Sequence, residues 1–337
     1  MILTLKTGVK KTEVDVLVKK IKQLGFTPHL SHGAVRTIIG VIGENEHKYK
    51  SLFESFDGVE LATAIVKPYK LVSREFKSEN TVVEIKGVKI GGNKLCVIAG
   101  PCSIDTKENL LTCARAVKNS GVHMLRGGAF KPRSSPYAFQ GHGVTALKYL
   151  AEAGKITGLP TVTEVMDTRQ VEVVARYADL MQVGARNSQN FDLLKEIGQT
   201  KKPVMLKRGM ANTIEEWLMA AEYIMSKGNR NIILCERGIR TFETSTRFTM
   251  DLNAIPAIKH LTHLPIIVDP SHGVGVRDYI HAMSLAGLAA GADGMMVEVH
   301  PKPTEALSDG PQALLPAMFD NLMEDARKIA GALGRTM

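Results

Sequence analysis

The sequence is poor in most of the features that would tie it to a specialised class. Four cysteines in 337 residues are no disulfide framework, and a chain this long can hold its core by packing alone. Aromatic residues make up 5%, with one tryptophan, and the basic residues form neither an arginine-rich run nor an aromatic-interleaved platform. The net charge of +9 therefore reads as a basic surface plus cations that face anionic substrates, and no nucleic-acid partner is expected. No stretch nears the roughly 18 consecutive apolar residues of a membrane span, so no membrane partner is expected either. In MILTLKTGVKKTEVD the apolar run precedes the lysines and no small-residue cleavage site follows, so the expected location is cytoplasmic. No G-x-G-x-x-G opens a helix after a first strand, which argues against a dinucleotide-binding fold.

What the sequence does have is alternation. From Leu95 onward, short apolar strands alternate with helical patterns near 107–119, 143–156, 168–177, 190–198, 213–227, 251–260, 277–290 and 314–332. Strand–helix alternation implies a parallel sheet, and eight such units favour a closed (β/α)₈ barrel over 95–337. Residues 1–66 read as strand, helix, strand, strand, helix, strand, the order of a small ferredoxin-like α+β domain. Within it FTPHLSHG and AVRTIIGVIG form an expected hairpin turning at Ser31, His32 and Gly33. Residues 67–94 form a linker whose hairpin, turning at Lys86-Gly87, is expected to plug the bottom of the barrel.

The reactive side chains fall where the barrel strands end, the face at which such barrels carry their chemistry. Cys102, His272, Glu298 and Asp309 belong to the first strand end, the seventh, and the loops around the eighth. Closure makes the first and eighth strands neighbours, so the four are expected to meet. A thiolate, an imidazole and two carboxylates suit Zn²⁺, Fe²⁺, Mn²⁺ or Co²⁺ and suit Mg²⁺ or Ca²⁺ poorly. Asp269 is placed to orient His272; His300 is expected only to line the mouth.

Cations form the second group. Arg126 and Lys131 bracket Gly127-Gly128, where backbone can approach a ligand closely, and Arg133 and Ser134 follow. Arg186, Lys207-Arg208 and Arg237 repeat the theme at later strand ends. Such a gathering is costly unless anions neutralise it, so two anionic groups are implied, with Glu164 countering one cation. The expectation from residues alone is metal-assisted chemistry on phosphorylated small molecules.

Taken together, AGPCS at 99–103, LRGGAFKPRSSPYAFQG at 125–141, VGARNSQN at 183–190, LKRG at 206–209, CERGIRTFE at 235–243, VDPSHGVG at 268–275 and VEVHP at 297–301 with a downstream SDG resemble the metal-dependent 3-deoxy-D-arabino-heptulosonate 7-phosphate (DAHP) synthases, in the subgroup with a ferredoxin-like N-terminal domain. The resemblance implies condensation of phosphoenolpyruvate with erythrose 4-phosphate and release of phosphate, the opening step of the shikimate route to chorismate and the aromatic amino acids. It implies one divalent ion per subunit on Cys102, His272, Glu298 and Asp309. It implies phosphoenolpyruvate contacts from Arg126, Lys131, the Ala185 N–H, Arg186, Lys207 and Arg237, and sugar-phosphate contacts from Lys131, Pro132, Arg133 and Ser134. Lys131 is the expected proton donor to the nascent alkoxide, and a metal-bound water or Glu164 the expected acceptor of the attacking water's proton. Feedback inhibition by tyrosine or phenylalanine through the small domain, with His29 and Ser31 as contacts, and a homotetramer are further implications. The rival is 3-deoxy-D-manno-octulosonate 8-phosphate synthase, whose sugar loop reads Lys-Ala-Asn-Arg-Ser-Ser.

Overall fold

Alternating apolar residues build the sheet of the first unit. The structure, a computed structural model, describes residues 1–32, 36–43, 45–63, 68–133 and 135–337. It divides into two compact units, Met1–Asn80 with His260–His263, and Thr81–Lys259 with Leu264–Met337. In the first unit, strands Thr27–His32, Thr37–Ile42, Ile2–Leu5 and Val59–Thr63 lie side by side in that order, antiparallel throughout. Helix Lys11–Gln23 buries Val14, Leu17 and Ile21, a spacing of three and four residues that keeps one stripe apolar. That stripe packs with Leu3, Ile39, Val41 and Phe53.

The register pairs His29 with Gly40 and Ser31 with Ile38, which puts His29 and Ser31 on the sheet face opposite Ile39 and Val41. The expected turn at Ser31 and His32 is thus corrected, since both continue the strand. The hairpin tip at 33–35 lies outside the described residues, as do 64–67, which contain the expected domain boundary at residue 66.

The second unit is a closed barrel of eight parallel strands: Cys96–Gly100, Met124–Arg126, Thr161–Val165, Leu180–Val183, Val204–Lys207, Ile232–Glu236, Ile266–Val268 and Gly294–Glu298. The eighth strand closes on the first, with Glu298 opposite Gly100. Both faces of each strand are covered, which is why the strands are almost wholly apolar. Inside, Cys96, Ile98, Met124, Val162, Leu180, Met205, Cys235, Ile267 and Met296 form one cluster. Val83, Ile85 and Ile90 of the hairpin Val83–Ile85/Val88–Ile90 join it, sealing the N-terminal end of the barrel. Lys86 and Gly87 turn the hairpin at φ of 47° and 85°, the left-handed conformation a two-residue hairpin loop requires. Among the described residues no helix is long and apolar enough to cross a membrane.

The two-residue period of the strands sets the site. Each inward apolar residue is followed two positions later by the next inward residue, now at the C-terminal rim. Met124 leads to Arg126, Val162 to Glu164, Met205 to Lys207, Cys235 to Arg237, Ile267 to Asp269 and Met296 to Glu298. The apolar plug and the polar rim are successive layers of one pattern.

Candidate metal and anion site

At the rim, one ligand atom from each of Cys102, His272, Glu298 and Asp309 lies within 4.8 Å of the others. Cys102 follows the first strand and Glu298 ends the eighth, so ring closure brings them together across almost the whole barrel sequence. His272 sits on a short helix, Pro270–Val274, that the sequence pattern did not reveal. Asp269 starts that helix: its Oδ1 accepts the His272 backbone N–H at 3.1 Å, and its Oδ2 lies 2.8 Å from His272 Nδ1. With Nδ1 held by the carboxylate, Nε2 is turned to the cluster, 3.2 Å from Glu298 Oε1, which is how a ligating imidazole is oriented. Asp309 has a left-handed backbone, φ 51°, a strained conformation that aspartate tolerates better than most residues.

The donor set fits a divalent transition metal. Burial, then Glu298, pushes the Cys102 thiol up to about 12, and coordination is what makes such a thiol a thiolate. Burial alone would raise Asp309, but the hydrogen bond from Cys102 (Sγ to Oδ2, 2.9 Å), together with His272, Lys131 and Arg247, outweighs it and holds the carboxyl at about 2. Burial and Asp309 work against charge on Glu298, yet His272 and Arg126 keep its pKa below the usual range. Arg126 Nη1 donates to Glu298 Oε1 at 3.0 Å, and Gln312 Nε2 to Oε2 at 2.6 Å.

Beside this cluster opens a cavity of roughly 330 Å³, with Lys131, Pro132, Arg133, Glu164, Ala185, Arg186, Lys207, Arg237 and Arg247 in its wall together with His272 and Asp309. Lys131 joins the two regions: its Nζ lies 2.8 Å from Cys102 Sγ and 3.2 Å from the Cys102 carbonyl oxygen. The Gly-Gly turn permits this approach, because a Cβ on Gly128 would fall 2.5 Å from that oxygen. Gly184 is needed likewise, since a Cβ there would fall 2.1 Å from Glu164 Oε1. Lys207 pairs with Asp269.

Two buried polar atoms in this wall have no protein partner, Arg237 Nη1 and Glu164 Oε1. Burial pulls Arg237 down to about 10, only partly opposed by Asp269. Its guanidinium lies 4.2 Å over the Phe248 ring, and no carboxylate among the described residues forms an ion pair with it. Glu164 Oε2 accepts from Gln182 Nε2 at 2.9 Å, and Oε1 lies against Gly184, itself part of the cavity wall. Buried groups left open in this way, in the wall of a cavity, are candidate ligand contacts.

The structure sorts the expected residues further. Arg126 is buried against Glu298, beside the metal cluster and outside the cavity wall. Arg208 leaves the anion group altogether: its Nη1 pairs with Glu236 at 3.0 Å and Asp251 at 2.7 Å. It is the outward neighbour of Lys207, so it meets outward-facing Glu236 on the next strand. His300 does not line the mouth; it is buried and bonded to Asp105. Ser134 lies outside the described residues. Arg247 and Gln312 were missed. Arg247 Nη1 reaches Gln312 Oε1 at 3.1 Å and Asp309 Oδ1 at 3.5 Å, and neither residue sits at a strand end, the signal that found the others. In the first unit, Ser31 borders a hollow of roughly 310 Å³ with Arg36, Ile38 and residues 75–79. His29 shares that sheet face, where Phe76 covers Gly40.

Comparison with known proteins covers the whole chain. Residues 75–331 match the model of the DAHP synthetase I family, and residues 1–67 that of the DAHP synthase ferredoxin-like domain. A phospho-2-dehydro-3-deoxyheptonate aldolase of Thermotoga maritima is 50% identical over 334 residues, 99% of either chain. The crystal structure of a DAHP synthase from Thermotoga maritima, 49% identical, superposes with a TM-score of 0.80 over 99% of this chain and 98% of that one. A 2-dehydro-3-deoxyphosphooctonate aldolase of Geobacter sp. strain M21 is 32% identical over 263 residues, 71% of this chain and 95% of its own.

Proposed function

The chain belongs to the DAHP synthetase I family and is a 3-deoxy-7-phosphoheptulonate synthase, and from that premise we propose how its residues divide the work. The substrates are phosphoenolpyruvate and erythrose 4-phosphate, condensed to the heptulosonate 7-phosphate with release of phosphate, as the first step of the shikimate route. One observation carries the assignment: a thiol, an imidazole and two carboxylates converge within 4.8 Å beside a cavity lined by cations.

Cys102, His272, Glu298 and Asp309 would hold one divalent ion, Mn²⁺, Fe²⁺, Zn²⁺ or Co²⁺. When bound, such an ion supplies Lewis-acid polarisation of the aldehyde. Arg186, Lys207 and Arg237, with the Ala185 N–H, bind phosphoenolpyruvate, and Arg126 steadies the floor of that site through Glu298. Lys131, Pro132, Arg133 and Ser134 take the sugar phosphate. Holding two mutually repelling anions in reacting contact is where much of the rate arises. Carbon 3 of phosphoenolpyruvate attacks the aldehyde, and Lys131, which lies between the two regions, delivers a proton to the developing alkoxide. A water adds at carbon 2, and Glu164, a residue of the cavity wall whose Oε1 has no protein partner, accepts its proton. The hemiketal phosphate then collapses with C–O cleavage.

The small domain carries feedback inhibition by tyrosine or phenylalanine, with His29 and Ser31 as contacts on the sheet face that borders the hollow, and the enzyme assembles as a homotetramer. Phosphate release from phosphoenolpyruvate with a panel of aldoses, with and without chelator, tests the reading. Erythrose 4-phosphate is expected to be preferred and chelator to abolish release. Preference for arabinose 5-phosphate would instead favour 3-deoxy-D-manno-octulosonate 8-phosphate synthesis. Removing residues 1–66 is expected to abolish amino-acid inhibition and spare turnover.

A further inference from the structure

Asp105 and His300 make a buried side-chain link between two loops. Asp105 lies three residues beyond Cys102, on the loop after the first strand. His300 lies two residues beyond Glu298, after the eighth. Relative exposures are 8% and 2%, and Asp105 Oδ2 is 3.0 Å from His300 Nε2. The backbone N–H of Lys302 donates to His300 Nδ1 at 3.0 Å, so Nδ1 carries no hydrogen. The ring's one hydrogen is therefore on Nε2, which donates to the Asp105 carboxylate. Asp105 is held in turn from its own side: Oδ1 accepts the Thr106 N–H at 2.6 Å and Oδ2 the Asn109 side chain at 3.0 Å, at the start of helix Lys107–Asn119. His142 Nε2 lies 2.9 Å from the Asp105 carbonyl oxygen, so the loop carrying Lys131 and Arg133 is moored at the same point.

We infer that the Asp105–His300 pair is a positioning clamp, which holds the loops of Cys102 and Glu298 in register and thereby sets how tightly the four-residue cluster takes a divalent cation. The inference rests on the reading of that cluster as a metal site. Neither residue faces the cluster as a ligand; both act through the backbone segments they join. First-strand and eighth-strand ligands are separated by nearly 200 residues, so their spacing is set by the barrel's own hydrogen bonds and by side-chain links between the two loops, of which this is one and the Ser103–Ser308 hydroxyl pair another. A ligand cluster binds tightly when its geometry is preformed, and groups that orient ligands affect affinity by about 10- to 100-fold when lost.

The donor and acceptor assignments give a specific test. Asp105→Asn keeps its oxygen on the Thr106 N–H and turns an NH₂ toward the His300 N–H, donor against donor, while Asn109, whose side chain met the same oxygen, can turn its amide oxygen to that NH₂. Histidine cannot switch tautomer to escape, because Nδ1 faces another N–H. In the double variant Asp105→Asn/His300→Gln, the introduced glutamine can present its oxygen to that NH₂ and restore the link. Mn²⁺ affinity is measured by titration calorimetry on the full-length, metal-stripped protein, alongside the thermal midpoint of the same preparation. Asp105→Asn is expected to weaken Mn²⁺ binding about 10-fold, and the double variant to return to within about 3-fold of the starting affinity. Affinity within 2-fold of the unaltered protein in Asp105→Asn, with only the thermal midpoint lowered, overturns the clamp, and so does a double variant no tighter than the single. If Asp105→Asn does not fold, His300→Gln, which keeps the donor, is compared with His300→Leu, which loses it; equal Mn²⁺ affinity in the two likewise overturns it. An unaltered protein that takes up no Mn²⁺ overturns the metal reading itself, and the inference with it.

Discussion

At the N-terminal end of the barrel, Asp293 takes Lys259 at 2.6 Å and Arg335 at 3.2 Å, and Lys86 on the hairpin turn reaches Asp179 at 2.9 Å. At the C-terminal end, Arg186 and Arg237 line a cavity, and among the described residues no carboxylate forms an ion pair with either. The same side-chain types thus serve two ends. One end neutralises its own charges and fills its interior with Val83, Ile85 and Ile90. The other leaves a buried donor and a buried acceptor open. A protein tolerates open buried charge only where a ligand closes the account, so the difference separates the end that stabilises the barrel from the end that binds.

Substitutions that remove one group from each end should sharpen this contrast. The largest effect is expected at the metal cluster. Cys102→Ser should lower turnover by about 10⁴-fold, ~5 kcal/mol of barrier, and strip divalent metal from the dialysed protein. Metal analysis beside steady-state rates checks it, and a serine variant with full metal and turnover would refute the ligand assignment. Next comes the closed end. Asp293→Ala removes the buried carboxylate shared by the half-buried Lys259 and Arg335 and should cost ~3 kcal/mol of stability with the Michaelis constants unchanged. Urea unfolding measures this, and a Michaelis constant that moved with stability would blur the division between the ends.

Arg237→Ala tests the open end. The second-order rate constant for phosphoenolpyruvate should fall about 10²-fold, ~2.7 kcal/mol, while the thermal midpoint holds or rises, because the lost guanidinium had no protein counter-ion. A fall in stability like that of Asp293→Ala would mean that the arginine is structural after all. Gly87→Val, at φ 85°, should cost ~1–2 kcal/mol by straining the plug's turn and leave catalysis alone. The remaining prediction concerns pH. Burial lowers His123 to about 4, with Lys94 and Arg327 adding to the shift. The unfolded chain then binds the extra proton between pH 6.5 and about 4, so stability should decline as pH falls through that window and level off below it. His123→Asn should flatten this decline in urea midpoints taken across the range; an unchanged slope would place its origin elsewhere.

Much of the site was legible because strand alternation is a local property. Once Met124, Val162, Met205, Cys235, Ile267 and Met296 are recognised as inward, Arg126, Glu164, Lys207, Arg237, Asp269 and Glu298 follow two residues on. The same parity explains Arg208, which the sequence grouped with the anion binders. It points outward, and only the neighbouring strand shows that Glu236 is there to take it. Arg247 and Gln312 were not legible, since they stand on long loops whose course no periodicity describes. The turn of helix under His272 was hidden for a related reason: five residues are too few to show a helical period. His29 and Ser31 sit within a strand because pairing with Gly40 and Ile38 extends the hairpin beyond the point where turn-forming residues begin.

By itself the sequence determined which residues end each strand and which way they face, because period-two alternation and strand-terminating glycines act over a few residues. Only the tertiary structure decided which of those ends meet. Cys102 and Glu298 are neighbours because the eighth strand pairs with the first, Glu298 opposite Gly100, and that pairing depends on the whole ring closing around its plugged core.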